Sequence, residues 1–150
     1  MKDNIVDILL VEDNPNDAEL AIHALKKNNL ANRLHWVKDG VEALDFIFYR
    51  NAYSERNSDL PRVILLDLRL PKLDGIQILS EIRKHKQTRD IPVVVLTSSK
   101  EDKDLVKTYQ LGVNNFVPKP VVFKEFMRVV ADLGLYWVLV NRVPPQIRAD

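Results

Sequence analysis

Four short apolar runs along this chain each end at a charged or hydroxyl-bearing residue. The runs cover residues 8–11, 63–66, 93–96 and 116–118, and they end at Glu12 and Asp13, at Asp67, at Thr97 and at Lys119. Short apolar runs that alternate with helical patterns indicate buried parallel strands. Ligands of an open α/β sheet bind beyond the carboxyl ends of such strands. We therefore expect these side chains to meet at one edge of one sheet, as a site for a metal ion and a phosphoryl group.

The rest of the pattern predicts five strand-then-helix units. The strands are predicted at about residues 7–12, 33–37, 63–66, 93–97 and 115–118, and the helices at about 16–28, after Asp39, after Asp74, near 101–110 and at about 122–140. Asp39 and Asp74 each precede an acid or amide by three residues, which is typical of a helix N-cap. Right-handed crossovers that place helices on both faces make this a doubly wound α/β sheet.

Two segments depart from the repeating pattern within what we expect to be a single domain over residues 1–150. Residues 49–62 are polar and aperiodic, which predicts a long insertion loop before the third strand. Residues 122–150 predict an extended last helix followed by a tail, in which Pro144 and Pro145 stop any helix.

Composition argues against several functional classes. The 22 Lys and Arg nearly balance the 21 Asp and Glu, so nucleic-acid binding driven by bulk charge is not expected. The chain has no Cys, and its four Gly form no phosphate-binding motif that would indicate a nucleotide cofactor. No stretch is long and apolar enough for a signal peptide or a membrane span. We therefore expect a soluble, cytoplasmic protein with no membrane contact.

The three acids at the predicted sheet edge require a cation if they converge. Two carboxylates about 4 Å apart repel by about 4 kcal/mol at an effective dielectric constant near 20. Mg²⁺ relieves this repulsion best, because it takes one or two carboxylates, keeps several waters and leaves room for phosphate oxygens. Lys119 adds a second positive charge, and the Thr97 hydroxyl can donate to a phosphoryl oxygen.

The motifs that carry these residues resemble the receiver domains of bacterial two-component response regulators. The matching segments are LLVEDN at 9–14, LLDLRLPKLDG at 65–75, VLTS at 95–98 and FVPKP at 116–120, within a resemblance over roughly residues 5–135. The resemblance implies a flavodoxin-like (βα)5 three-layer sandwich whose parallel sheet has the strand order 2-1-3-4-5. It also implies a phosphoacceptor signalling domain rather than an enzyme.

The resemblance assigns roles to the acidic residues. Asp67 would be the nucleophile that accepts a phosphoryl group from a phosphohistidine on a sensor histidine kinase. Asp13 would bind Mg²⁺ directly, and Glu12 would act mainly through water. Asp67 and the main-chain carbonyl of Arg69 would complete the protein ligands of the metal.

The resemblance also assigns a switch. Thr97 and Lys119 would hold phosphoryl oxygens, and the Lys119–Pro120 bond would be cis. On phosphorylation Thr97 would move inward and Phe116 would turn into the space that it leaves. Phe116 is equally compatible with being a plain core aromatic, and it lacks the hydroxyl of the Tyr that is frequent at this position.

Output is expected to pass through protein contacts, since no DNA-binding or enzymatic module follows the last predicted helix. Residues 121–140 are apolar nearly all round in their second half, which favours a symmetric homodimer through the fourth and fifth helices. The alternative is that these residues pack back onto their own domain. The C-terminal segment and the 49–62 insertion are similar to stand-alone regulators that pair with bacterial phytochrome kinases.

Two other functions remain open from the residues alone. A haloacid-dehalogenase-type phosphatase also uses an Asp nucleophile, Mg²⁺, a Ser or Thr and a Lys. That class needs an Asp two residues after the nucleophile, where Arg69 stands, and its nucleophile ends the first strand rather than the third. The second alternative is a non-phosphorylated adaptor, which the complete acidic set argues against because unpaired acids are poor structural residues.

Overall fold

The structure is a computed structural model of the chain. The structure describes residues 6–27, 33–57, 59–97, 110–113 and 115–134. The strands are β1 (Ile8–Val11), β2 (Leu34–Val37), β3 (Val63–Asp67), β4 (Val93–Thr97) and β5 (Asn115–Pro118). The helices are α1 (Pro15–Lys26), α2 (Gly40–Ile47), α3 (Gly75–Lys84) and α4 (Phe123–Asp132), with a short 3-10 helix at Asn51–Tyr53. Helix α4 corresponds to the fifth predicted helix.

The five strands form one parallel sheet in the order β2-β1-β3-β4-β5. This confirms the predicted flavodoxin-like architecture and its strand order. The register aligns the carboxyl ends of the central strands: Val11 pairs with Leu66, Asp67 pairs with Leu96, and Thr97 pairs with Pro118. The residues that end these strands therefore lie side by side along one edge of the sheet.

The sheet separates two cores, because successive side chains of a strand point to opposite faces. Leu9 and Val11 of β1 pack on the face covered by α2 and α3, whereas Ile8 and Leu10 pack on the face covered by α1 and α4. The same alternation holds along β3 and β4. Burial on both faces explains why these strands are continuous apolar runs rather than alternating ones.

Helix starts near the sheet edge are fixed by side-chain caps. The Asn14 side chain accepts hydrogen bonds from the main-chain N–H groups of Asn16 and Asp17, and Pro15 occupies the first helical position. The Asp74 side chain accepts from the Gln77 N–H in a capping box that opens α3. Helix α1 spans Pro15–Lys26 rather than the predicted 16–28.

The last helix is shorter than predicted. It ends at Asp132 and not near residue 140, and Gly134 follows with a φ of +70°. A positive φ interrupts the right-handed helical backbone, and Gly adopts it at no steric cost. Apolar residues continue past this point in the sequence, which is why the sequence predicts a helix without a break at Gly134. Residues 135–150, and residues 101–109 of the fourth predicted helix, lie outside the described part of the chain.

The insertion at 49–62 packs on α2 through polar and aromatic contacts. The Arg56 guanidinium donates from Nε and Nη2 to the Phe46 carbonyl oxygen, at 3.1 and 2.7 Å, and lies 4.0 Å from the ring centroids of Phe46 and Tyr49. Burial lowers the pKa of the Arg56 guanidinium, although the charges around it oppose this. The predicted loop is thus anchored at its centre, although it lacks the periodic pattern of a helix or strand.

Tyr53 connects the insertion to β2 and α2. Its hydroxyl donates to the Glu42 carboxylate at 2.7 Å and lies 3.0 Å from Nε2 of His35. The hydroxyl has one proton, which goes to the carboxylate, so His35 Nε2 must carry a proton and donate to the Tyr53 oxygen. Burial lowers the pKa of His35, and burial together with the Glu42 hydrogen bond raises the pKa of Tyr53.

The Tyr53→Phe substitution should lower the free energy of unfolding by about 1–2 kcal/mol, since a hydrogen bond to a charged group is lost and His35 loses its acceptor. Urea denaturation of Tyr53→Phe, Glu42→Ala and the double variant measures the coupling between the two side chains. An equal loss from Tyr53→Phe in the parent and in the Glu42→Ala background would contradict the contact.

Candidate functional site

Four buried or half-buried polar residues meet at the carboxyl edge of the sheet. Glu12 directly follows β1, Asp67 ends β3, Thr97 ends β4, and Lys119 directly follows β5. The side chains of Glu12 and Asp67 are 1% and 6% exposed, and Lys119 is 16% exposed. The sequence predicted this convergence from the strand ends, and the structure places these residues together at one edge of the sheet.

The Lys119 ammonium lies among three carboxylates. Its Nζ is 3.3 Å from Glu12 Oε1, 3.1 Å from Asp17 Oδ2 and 3.2 Å from Asp67 Oδ2. An ammonium has three N–H donors, so these contacts can use all of them. Charge-assisted contacts of this kind offset the cost of desolvating the ions that make them.

A second cluster is made of acids alone. Glu12, Asp13 and Asp67 each place a carboxylate oxygen within 4.8 Å of the others. Asp13 is exposed, whereas the other two are buried. Oxygen donors at this spacing, open to solvent on one side, fit a hard divalent cation that keeps water ligands. Glu12 and Asp67 therefore belong to the acidic cluster and also contact Lys119.

The electrostatics of the edge follow from burial and crowding. Burial, the charge of Asp67 and a side-chain hydrogen bond to Asp67 raise the pKa of Glu12 to about 7. The Asn14 N–H, which donates to Glu12 Oε2 at 3.2 Å, and the Lys119 charge oppose this rise. Burial acts to lower the pKa of Lys119, but attraction to Asp67 and Glu12 outweighs it, so that pKa is raised. Lys119 stays charged at neutral pH.

Main-chain and indole groups hold the acids in place. The Arg69 N–H donates to Asp67 Oδ1 at 3.2 Å, which leaves Oδ2 facing Lys119. The Trp36 indole Nε1 donates to the Glu12 carbonyl oxygen at 2.7 Å. Trp36 thus links the second strand to the site, and its indole is a fluorescent reporter next to Glu12.

Thr97 and Phe116, the two residues of the predicted switch, lie on the adjacent strands β4 and β5. The Thr97 side chain is buried, and its carbonyl oxygen accepts from the Lys119 N–H at 2.8 Å. Phe116 on β5 is partly buried and packs against the core on the α2–α3 face. The Lys119–Pro120 bond is cis, as the resemblance implies.

Sequence reasoning missed Asp17. This residue lies in the first turn of α1, four residues after Asp13, and makes the shortest of the three contacts to Lys119. Its position in a helix rather than at a strand end kept it out of the predicted site. Only the spacing between Asp13 and Asp17 could have indicated its role. A helix that is capped directly after an acidic strand end places its first turn at the same edge of the sheet, and Asp17 lies in that turn.

Comparison with known proteins assigns the family. The sequence profile of the response regulator receiver domain matches residues 8–131. The chain belongs to this family. A receiver domain has a histidine kinase as its partner, and the match decides against the haloacid-dehalogenase alternative.

Individual relatives are similar over most of their length. The receiver is 42% identical over 137 residues to the probable methanogenesis regulatory protein FilR2 of Methanothrix harundinacea, covering 91% of this chain and 86% of the relative. It is 36% identical over 137 residues to the response regulator Rcp1 of Synechocystis, covering 91% of this chain and 92% of Rcp1.

Solved structures give the same assignment. The bacteriophytochrome response regulator AtBRR superposes with a TM-score of 0.85 at 49% identity, covering 93% of the receiver and 99% of AtBRR. The Mn(2+)-bound form of Rcp1 superposes with a TM-score of 0.68 at 37% identity, covering 88% and 94% of the two chains. Among the described residues of the receiver, no helix has the length and apolar content that crossing a bilayer demands.

Divalent cation affinity should increase with pH up to about 7 and level off above it. Because the pKa of Glu12 is raised to about 7, its carboxyl group should carry a proton below that pH, and a binding cation would displace this proton. The association constant for Mg²⁺ should therefore rise by up to about tenfold per pH unit below pH 7, as one displaced proton requires. Titration of Trp36 fluorescence in a Trp137→Phe background measures it.

The control is Glu12→Gln, which keeps the shape of the side chain and removes its titration. This variant should bind Mg²⁺ with little dependence on pH over the same range. A parent protein whose affinity is equally flat would show that Glu12 does not face the cation.

Proposed function

We propose that this receiver accepts a phosphoryl group on Asp67 from a phosphohistidine of a sensor histidine kinase, in an Mg²⁺-dependent reaction. The observation that carries the proposal is the position of the Asp67 carboxylate, which is buried, contacts the Lys119 ammonium and belongs to the acidic cluster. The family assignment supplies the reaction class, and the bound Mn(2+) of the relative Rcp1 supports a divalent cation at this edge.

Glu12, Asp13, Asp67 and the main-chain carbonyl of Arg69 would hold the metal. The fit rests on three carboxylates of this chain whose oxygens lie within 4.8 Å of one another, one of them open to solvent. A bound Mg²⁺ supplies charge neutralisation for the transferring phosphoryl group. Its charge would also offset the repulsion from Asp67, which together with burial raises the pKa of Glu12.

The transfer requires the protein to position the phosphoryl group and to neutralise its charge. An Asp67 carboxylate oxygen forms a bond to phosphorus as the bond from phosphorus to the imidazole nitrogen breaks, and the electron pair leaves with the imidazole. Lys119 and Thr97 donate to phosphoryl oxygens as these approach the sheet edge. In-line phosphoryl transfer depends mainly on such positioning and electrostatic stabilisation.

The signal follows from the added charge. A phosphoryl group brings about −1.5 to −2 charges and three acceptor oxygens. Thr97 is buried at the end of β4, and Phe116 lies on the adjacent strand at a partly buried position. Inward movement of Thr97 toward the phosphoryl group and rotation of Phe116 form the proposed switch. Phe116 acts through packing alone because it has no hydroxyl.

The proposal extends to the context of the domain. The chain acts in the cytoplasm as a single-domain regulator over 1–150, signals through protein contacts without binding DNA directly, and performs no catalysis beyond its own phosphorylation and dephosphorylation. A bacterial phytochrome is the proposed kinase, supported by the similarity to AtBRR, whereas the similarity to FilR2 supports a different stimulus. Reconstitution with a phytochrome kinase under red and far-red light separates the two.

A homodimer through the fourth and fifth predicted helices is proposed as the active assembly. Helix α4 buries Phe126, Val129 and Val130 on its own domain, while Val122 at its start is 52% exposed. The apolar run at 135–140 that favours a partner surface lies outside the described residues. Sedimentation should show a mass that rises with concentration, and a concentration-independent monomer mass would contradict the dimer.

Asp67→Asn should abolish phosphorylation by acetyl phosphate, because the amide cannot act as the acceptor. Incubation with acetyl phosphate and Mg²⁺, followed by intact-protein mass spectrometry, should show one added phosphoryl group on the parent and none on the variant. The matched control is Asp90→Asn, which makes the same charge change at an exposed residue between α3 and β4 and should be phosphorylated like the parent.

Two results would contradict the proposal. Phosphorylation of Asp67→Asn at the parental rate would place the acceptor elsewhere. A parent that acquires no phosphoryl group with Mg²⁺ present would favour the non-phosphorylated adaptor.

A further inference from the structure

We propose that Asp17 is a positioning residue that anchors the Lys119 ammonium while Lys119 serves the phosphoryl group. The inference deepens the proposed function and rests on it. The contact between Asp17 Oδ2 and Lys119 Nζ, at 3.1 Å, joins the first turn of α1 to the end of β5 across 102 positions of sequence.

The anchor itself is held by the cap of α1. The main-chain N–H of Asp17 donates to Asn14 Oδ1 at 3.0 Å, and Pro15 fixes the first helical position. The backbone that carries the Asp17 carboxylate is therefore tied to the loop that carries Glu12 and Asp13. Lys119, in contrast, reaches the site on a flexible four-carbon stem, so its ammonium takes its position from its partners.

Asp17 differs from the other two partners of Lys119. Glu12 and Asp67 belong to the acidic cluster that fits a cation, and Asp17 lies outside that group. A bound cation compensates Glu12 and Asp67 and so weakens their attraction for the ammonium. The attraction of Asp17 is not compensated in this way. With the cation in place, Asp17 is the partner that keeps Lys119 at the edge.

The geometry also shows how the donors are shared. All three N–H groups of Lys119 have carboxylate partners in the structure. When a cation takes over Glu12 and a phosphoryl group covers Asp67, two of those N–H groups can turn to phosphoryl oxygens. The third N–H group stays hydrogen-bonded to Asp17. The ammonium therefore turns about this contact and keeps its place at the sheet edge.

Beryllofluoride, which occupies the position of the phosphoryl group on an aspartate, tests the anchor without turnover. Its affinity at saturating Mg²⁺, and separately the affinity for Mg²⁺ alone, are measured by Trp36 fluorescence in the Trp137→Phe background for the parent and Asp17→Asn. We expect Asp17→Asn to weaken beryllofluoride binding by about three- to fivefold, the range for a partly exposed ion pair, with less than about a twofold change for Mg²⁺.

Two variants separate anchoring from general effects of charge. Glu19→Gln makes the same charge change at an exposed residue of the same helix and should bind beryllofluoride like the parent. Asp17→Glu keeps the carboxylate on a longer side chain and should recover part of the lost affinity. A purely helix-stabilising role of Asp17 predicts no difference between the beryllofluoride affinities of these variants and the parent.

Each other outcome overturns the inference. Equal beryllofluoride affinity in Asp17→Asn and Glu19→Gln would show that Asp17 does not anchor Lys119. Tighter binding in Asp17→Asn would show that Asp17 competes with the phosphoryl group for Lys119. Parallel losses for beryllofluoride and Mg²⁺ make Asp17 a part of the metal site. If the parent itself fails to bind beryllofluoride with Mg²⁺, the proposed function fails and the anchor fails with it.

Discussion

The Lys119 ammonium contacts carboxylates from three separate elements and holds the carboxyl edge of the sheet together. Lys119 reaches Glu12 across 107 positions, Asp17 across 102 and Asp67 across 52. Each contact forms only if β1, β3 and β5 are placed in their native register. Because Glu12 and Asp67 are almost fully buried, removal of the ammonium would leave both carboxyl groups without their cationic partner, which is costly in a protein interior.

The surrounding fold makes this crowding tolerable and useful. The start of helix α3 packs directly against the end of β3, and only a glycine fits there. A Cβ at Gly75 would lie 2.8 Å from the Asp67 carbonyl oxygen and 2.5 Å from the Leu68 Cα. The main-chain N–H groups of Asn14 and Arg69 each donate a hydrogen bond to an acid of the site, Glu12 and Asp67 respectively. Burial and the charge of Asp67 still raise the pKa of Glu12, and the crowded carboxylates favour binding of a cation.

The part of the site that lies at strand ends could be predicted from the sequence, and the rest could not. Glu12, Asp67, Thr97 and Lys119 follow apolar runs, and parallel strands bring such endings together whatever the details of packing. Asp17 was missed because a helix position carries no comparable signal. The anchoring of the insertion by Arg56 was also missed, since stacking on Phe46 leaves no periodic pattern. The end of α4 was misplaced because apolar residues continue beyond Gly134, whose positive φ ends the helix.

A crystal structure of the receiver with Mg²⁺ and beryllofluoride tests the central claim most directly. The account predicts beryllofluoride on the Asp67 carboxylate, with the cation among Glu12, Asp13 and Asp67, and with fluorine atoms within hydrogen-bond distance of Lys119 and Thr97. Beryllofluoride bound elsewhere, or an Asp67 carboxylate that keeps Lys119 and excludes both ligands, would contradict it.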